Sequence, residues 1–141
     1  MDGIVGLAYE SISIHNLRTF VNATYDEGSL SERTFTFYLK EDTEQSILQR
    51  PGYNRDMVYS DFYFHDVRQA KYWAISMESA YQAGKDAVDT SGYLAVIDSG
   101  TSLIMGPADI IDPIIEGIEV SKFCRNIDQL PDITFVFDGR E

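Results

Sequence analysis

The sequence predicts a mostly β protein with two short helices, and three observations carry that prediction. Thr34-Phe35-Thr36-Phe37-Tyr38-Leu39-Lys40 alternates hydroxyl and aromatic side chains with the period of two that a pleated strand imposes. Strand-length apolar runs recur over residues 57–64, 72–77, 93–97 and 133–137, with turn-forming residues between them. Helical signals are confined to residues 19–27 and 108–118. A length of 141 residues favours one folding domain, and 44% hydrophobic with 13% aromatic residues suffices for a core.

Taken in order, residues 3–9 (GIVGLAY) read as a buried strand closing on a glycine turn. Residues 19–27 (TFVNATYDE) read as a short helix that Gly28 terminates as a C-terminal cap. The strand over 34–40 follows. Residues 41–55 are polar and contain Pro51-Gly52, so they form a loop or hairpin connection, the best seam in the chain. The sequence therefore divides into residues 1–55 and 56–141. The four later strand-like runs fall in the second part, together with a helix over 108–118. That helix is marked by Ile110, Ile111, Ile114 and Ile115 at helical spacing, with Pro113 as a kink or an early turn.

Charge excludes several classes of partner. With 23 acids against 11 bases the net charge is -12, which repels phosphate backbones and anionic lipid, so no nucleic-acid partner is expected. No apolar run approaches the roughly 18 residues of a membrane span, and the first residues lack the basic and apolar regions of a signal peptide. His15 and His65 have no ligand-like spacing, so no metal site is expected. Asp86 and Asp89 read as a solvated loop. Asn22-Ala23-Thr24 is an N-glycosylation sequon, meaningful in a secreted protein. Cys124, the one cysteine, is either a buried free thiol or one whose partner lies outside this sequence.

The segment with chemistry in it is Ala95-Val96-Ile97-Asp98-Ser99-Gly100-Thr101-Ser102-Leu103-Ile104-Met105-Gly106-Pro107. It delivers a carboxylate at the end of an apolar strand, next to a glycine and three hydroxyls. Gly100 lets backbone amides approach Asp98, and hydrogen bonds from those amides or from Ser99, Thr101 or Ser102 would favour the ionised form. Two readings are open on the residues alone: an Asx or ST turn in which Asp98 caps its own loop, or a catalytic carboxylate.

The segment resembles the second active-site loop of the pepsin-like aspartic endopeptidases, whose C-terminal lobe carries hydrophobic-hydrophobic-D-[ST]-G-[ST]-S. Four further stretches support the resemblance in the family's order. Asp2-Gly3-Ile4-Val5-Gly6-Leu7 is similar to the D-G-I-[LV]-G-L run, and Phe35-Thr36-Phe37-Tyr38-Leu39 to the F-S-F-Y-L strand. Tyr72-Trp73-Ala74-Ile75-Ser76-Met77 resembles Y-W-x-I-x-[LM], and Leu130-Pro131-Asp132-Ile133-Thr134-Phe135 resembles L-P-D-[IV]-x-F. The resemblance implies a bilobal acid-protease fold, present here incompletely. Residues 1–55 would be the end of the N-terminal lobe with interlobe strands, and 56–141 part of the C-terminal lobe. Met1 then reads as an internal residue, and the first D-T-G-[ST] loop is expected upstream of it. Cys124 would pair with a cysteine beyond the last residue. The family's G-G-x-D segment appears as Pro51-Gly52-Tyr53-Asn54, and the small cysteine loop of some relatives is absent from residues 85–92.

The same resemblance implies an endopeptidase that needs neither metal nor cofactor. Two carboxyls within hydrogen-bond reach cannot both ionise, so they share a proton. The ionised one takes a proton from water while the other donates to the scissile carbonyl. Asp98 would be one of the pair, so this chain by itself is expected to be inactive. Thr101 would lock the two active-site loops together, and Ser99 would hold the carboxylate. Gly100, Thr101 and Ser102 would bond the extended substrate backbone, while Tyr72 and Val96 line pockets on the primed side. For Tyr72 and Trp73 the plain reading is core aromatics of a strand. The expected partners are a polypeptide substrate and the missing N-terminal lobe, with a monomer at full length in a lysosome, vacuole or secretory route. Alternatives are a non-catalytic pseudoprotease that grips peptides, or two copies of one chain each bringing a D-S-G-T loop to a twofold axis. Half of a bilobal core would expose apolar faces, so poor solubility is expected of the chain alone.

Overall fold

The computed structural model describes residues 3–40 and 45–141. The expected positions Met1 and Asp2, and residues 41–44 of the connecting loop, lie outside the described residues. The chain forms two units, residues 1–64 and 65–141.

In the first unit, helix α1 (Phe20–Asp26) is defined by its ends. Thr19 is extended, and its hydroxyl accepts the backbone N–H of Asn22 at 3.3 Å, satisfying one of the first turn's orphan donors. At the other end Gly28 takes φ +75°, and the N–H groups of Gly28 and Ser29 donate to the carbonyls of Tyr25 and Thr24 at 2.9 and 3.0 Å. These two bonds are a Schellman motif, which requires the left-handed residue that glycine supplies cheaply. Strand β1 (Thr36–Tyr38) lies inside the alternating segment and pairs antiparallel with β2 (Ile47–Gln49), so the connection is a hairpin. Behind it the Pro51-Gly52 turn is clipped on both sides. The Gly52 N–H donates to the Thr34 hydroxyl at 2.7 Å, and the Thr36 hydroxyl donates to the Gly52 carbonyl at 2.9 Å.

Two expected strands of this unit are absent. Described residues 3–9 carry no strand, with Ile4 86% and Val5 60% exposed. Residues 58–64 are irregular as well. There the Asn54 side chain accepts the Asp56 N–H at 3.0 Å and closes a short turn over Arg55–Met57. An apolar run becomes a strand only when a neighbouring strand takes its N–H and C=O groups, and none does so among the described residues.

The second unit is organised by one long, broken hairpin. Its outgoing arm is β4 (Trp73–Ser76) followed by β5 (Ser79–Gln82), and its return arm is β6 (Val88–Asp89) followed by β7 (Leu94–Val96). Register runs Ala74↔Val96 to Ser76↔Leu94 in one half and Ser79↔Asp89 to Ala80↔Val88 in the other. Between the halves the return arm has residues 90–93 where the outgoing arm has only 77 and 78. This bulge bends the ribbon so that each half enters a different sheet. Thr90 sits fully buried at the bend, its hydroxyl donating to the Met77 carbonyl at 3.1 Å. Strand β3 (Gln69–Ala70) flanks β4, and β8 (Ile133–Val136) flanks β5.

Helix α2 (Ala108–Ile115) packs on β5 and β6. Ile110 and Ile114, one turn apart on the same face, join Ala80, Val88, Ile133 and Phe135 in the core. Pro113 stands inside this helix, and the helical residues continue to Ile115, so it marks neither a start nor a stop. Its missing N–H takes away the helical bond to the Asp109 carbonyl, and the helix continues past that gap for two residues. Lys85 Nζ then donates to the Glu116 carbonyl at the helix end.

Three further expectations are corrected here. Asp89 belongs to strand β6 and accepts the Ser91 N–H at 2.9 Å, while Asp86 remains exposed. Tyr72 and Trp73 are 43% and 37% exposed, not core, because Tyr72 occupies the tight turn between β3 and β4. Cys124 is an exposed free thiol in a short turn over Lys122–Cys124, which rules out the buried reading.

Candidate active site

Strand β7 places Asp98. Beyond its last residue the ladder continues for one bond, from the Ile97 N–H to the Trp73 carbonyl at 3.0 Å, and the chain then leaves the sheet. Asp98 is the first residue past that bond. The loop folds back on the carboxylate at once: Oδ1 accepts the Gly100 N–H at 2.9 Å and Oδ2 accepts the Thr101 hydroxyl at 2.5 Å. The Asp98 carbonyl also takes the Thr101 N–H at 3.3 Å. Asp98 therefore does form the Asx turn of the plain reading, and the same bonds set its ionisation.

The Thr101 hydroxyl, then the Gly100 amide, pull the Asp98 pKa below the ordinary aspartate value, against a smaller opposing effect of desolvation. The result is an exposed, oriented carboxylate that stays ionised further into acid than a free one. Gly100 also leaves the carboxylate its place: a Cβ there would lie 3.1 Å from Asp98 Oδ1, tighter than nine in ten real contacts, and the carboxylate would have to shift by a few tenths of an ångström.

The other expected site residues fall as follows. Ser99 and Ser102 are exposed, and among the described residues the donors on the carboxylate are Gly100 and Thr101. Val96 pairs with Ala74 and is 49% exposed, and Tyr72 is at the turn preceding β4. Val96 thus lies on the strand that leads to Asp98, and Tyr72 lies just before the strand that pairs with it. Beyond the serines, Leu103, Ile104 and Met105 are 74%, 69% and 75% exposed.

Two residues that the sequence did not single out border the loop. The Tyr93 hydroxyl, just before β7, donates to Asp109 Oδ2 in the first turn of α2 at 3.1 Å. The bond raises the phenol's pKa. Nothing in local periodicity could reveal it, because its partners are sixteen residues apart and belong to different elements. No grouping of three or more His, Cys, Asp or Glu side chains suited to a metal occurs among the described residues. His65 instead bonds Asp138 at 2.7 Å and lies edge-on to Phe137. In the sequon, Asn22 Nδ2 donates to Glu10 Oε1 at 2.7 Å and the Thr24 hydroxyl to the Phe20 carbonyl at 2.8 Å. No helix among the described residues is long and apolar enough to cross a membrane.

Comparison with known proteins gives a consistent result. The family model of the eukaryotic aspartyl proteases matches residues 1–141. A pregnancy-associated glycoprotein of Equus caballus is 32% identical over 147 aligned positions that cover 98% of this chain and 38% of that protein. Pepsin II-2/3 of Oryctolagus cuniculus is 33% identical and pepsin A of Sus scrofa 32%, each with the same coverage of 98% and 38%. The chain thus spans about two fifths of the length of the curated relatives it matches.

Proposed function

The chain belongs to the eukaryotic aspartyl protease family, and on that premise we propose that Asp98 is one of the two catalytic aspartates of an endopeptidase that cleaves polypeptide substrates. The observation that carries this reading is the carboxylate itself, exposed and aimed by the Gly100 amide and the Thr101 hydroxyl. In the reaction a water oxygen attacks the scissile carbonyl carbon as the ionised carboxylate takes the water's proton. The second, protonated carboxyl donates to the carbonyl oxygen, giving a neutral tetrahedral diol. Collapse then breaks the C–N bond, with a proton passing to the leaving amine. Asp98 alone supplies one half of that exchange, so the 141-residue chain requires a second carboxyl from the rest of the protein.

Under this reading residues 1–55 end the N-terminal lobe and supply interlobe strands, and residues 56–141 form part of the C-terminal lobe. Gly100, Thr101 and Ser102 bond the substrate backbone, and Tyr72 and Val96 line primed-side pockets. Cys124, exposed and free, pairs with a cysteine further along the protein. The protein acts as a monomer in a lysosome, vacuole or secretory route, without metal or cofactor.

The test uses the protein translated from the complete transcript, assayed on an unfolded protein substrate across acid pH. Replacing Asp98→Asn should lower kcat by about a thousandfold or more with folding retained. Undiminished cleavage would overturn the assignment. Tight peptide binding without cleavage in the unaltered protein would point instead to a non-catalytic peptide binder.

A further inference from the structure

The loop that presents Asp98 runs over residues 97–107, is exposed at every position, and carries its functional group near its first end. The accuracy of such a loop depends on how well its two ends are held, because every freedom of the ends is passed on to the carboxylate. The first end is anchored by the Ile97 N–H on the Trp73 carbonyl. At the second end, Gly106 packs against Ile111, where an added Cβ would come within 3.1 Å of two Ile111 carbons. The Pro107 carbonyl there accepts the N–H groups of Ile110 and Ile111. These anchors belong to different layers: β7 pairs with β4 in one sheet, whereas α2 packs on β5 and β6 of the other. The bond from the Tyr93 hydroxyl to Asp109 Oδ2, 3.1 Å long, crosses from one to the other beside the loop. Tyr93 is itself held, its N–H donating to the carbonyl of buried Thr90 at 2.9 Å.

We propose that Tyr93 and Asp109 are positioning residues for Asp98, a side-chain brace that fixes the strand entering the active-site loop against the helix leaving it. This rests on the assignment of Asp98 as catalytic. The brace touches neither substrate nor the reacting atoms. It acts by keeping the loop in the one arrangement in which Thr101 and Gly100 both reach the carboxylate. Losing it lets the loop sample arrangements with one of those donors withdrawn. No disulfide spans this stretch in the chain.

The test compares Tyr93→Phe, Asp109→Ala, Asp109→Asn and the Tyr93→Phe/Asp109→Ala double variant in the complete protein, with Asp98→Asn alongside. Tyr93→Phe and Asp109→Ala should each lower kcat by about fivefold or more while KM stays within about twofold. The acid limb of the kcat/KM profile should move upward in both, because the ionised form of the aspartate pair has lost preorganised donors. The double variant should be no worse than either single one, as expected for two ends of one contact. Asp109→Asn, which keeps an acceptor oxygen, should restore most of the rate. If Asp98→Asn is inactive while Tyr93→Phe and Asp109→Ala keep both kcat and acid limb, the brace is refuted and the catalytic assignment stands. If Asp98→Asn is active, both are refuted. A loss that merely tracks a lowered melting temperature, with the acid limb unmoved, also refutes the brace. Should Tyr93→Phe fail to fold, the two Asp109 variants decide the question between them.

Discussion

At the scale of the residue, the behaviour of Asp98 is governed by two neighbours of very different kinds. The Gly100 amide is fixed by the backbone, whereas the Thr101 hydroxyl can be removed by one substitution that leaves the shape nearly intact. It is also the larger cause of the lowered pKa. In Thr101→Val the carboxylate keeps only the Gly100 amide, so its titration should move up toward the ordinary aspartate range, observable by carboxyl-carbon NMR. The sign for stability follows. A depressed folded pKa contributes stability above the unfolded aspartate's pKa and loses it as pH falls through the folded one, so Thr101→Val should reduce that acid-side dependence to the share due to the Gly100 amide. For a group this exposed the energy is small, and the consequence lies in rate: kcat/KM of the complete protein should fall about tenfold or more, with Thr101→Ser restoring it. Unchanged titration and rate in Thr101→Val would mean that the hydroxyl is incidental.

Elements differ in how far the sequence discloses them, and the difference is physical. Helix α1 was legible at its C-terminal end because the signal there is local, a glycine whose left-handed φ closes the Schellman bonds, whereas Thr19, read as part of the helix, is the residue that caps it. Strand β1 was legible because alternation of Thr and aromatic residues is itself the pattern of a pleat. The runs over 3–9 and 57–64 are as apolar as a strand requires and form none among the described residues, since pairing is decided by a neighbour that a local window does not contain. Conversely β5 (Ser-Ala-Tyr-Gln) has no apolar run, yet it is the central strand of its sheet, between β6 and β8. Its role comes from Ala80, whose small side chain is fully buried and leaves room for Ile110 and Ile114. The site divides the same way: the motif around Asp98 is contiguous and readable, whereas the Tyr93–Asp109 contact exists only once the hairpin and α2 have met. That packing gives the element-scale prediction. Ile114 is 4% exposed in the core that α2 forms with β5 and β6, so Ile114→Ala leaves a cavity and should destabilise the complete protein by about 2–4 kcal/mol, seen as a lowered urea midpoint. Ile115→Ala, 47% exposed on the next position, should shift the midpoint far less.

At the scale of the whole chain, buried apolar surface is scarce. Among the described residues the buried hydrophobic set is Val21, Ala74, Ala80, Ile110 and Ile114, while Ile4, Phe64, Leu103, Met105 and Phe123 are each at least 74% exposed. A compact 16.0 kDa protein exposes about 7,400 Å2, and two separate compact bodies of half that mass about 8,900 Å2. This chain exposes 11254 Å2. Opposing association is the net charge of -12, which keeps molecules apart at neutral pH. The two effects respond differently to acid. Protonating carboxylates erases the repulsion as pH falls toward the isoelectric point near 4.4, while the apolar faces are unchanged. The 141-residue chain expressed by itself should therefore bind a hydrophobic dye at neutral pH and melt without a sharp transition. Its soluble fraction should fall steeply between pH 7 and pH 5, with added salt lowering it further at pH 7 by screening the charge. Static light scattering across that range measures the outcome. A monodisperse, cooperatively melting monomer down to pH 5 would show that these faces do not drive association.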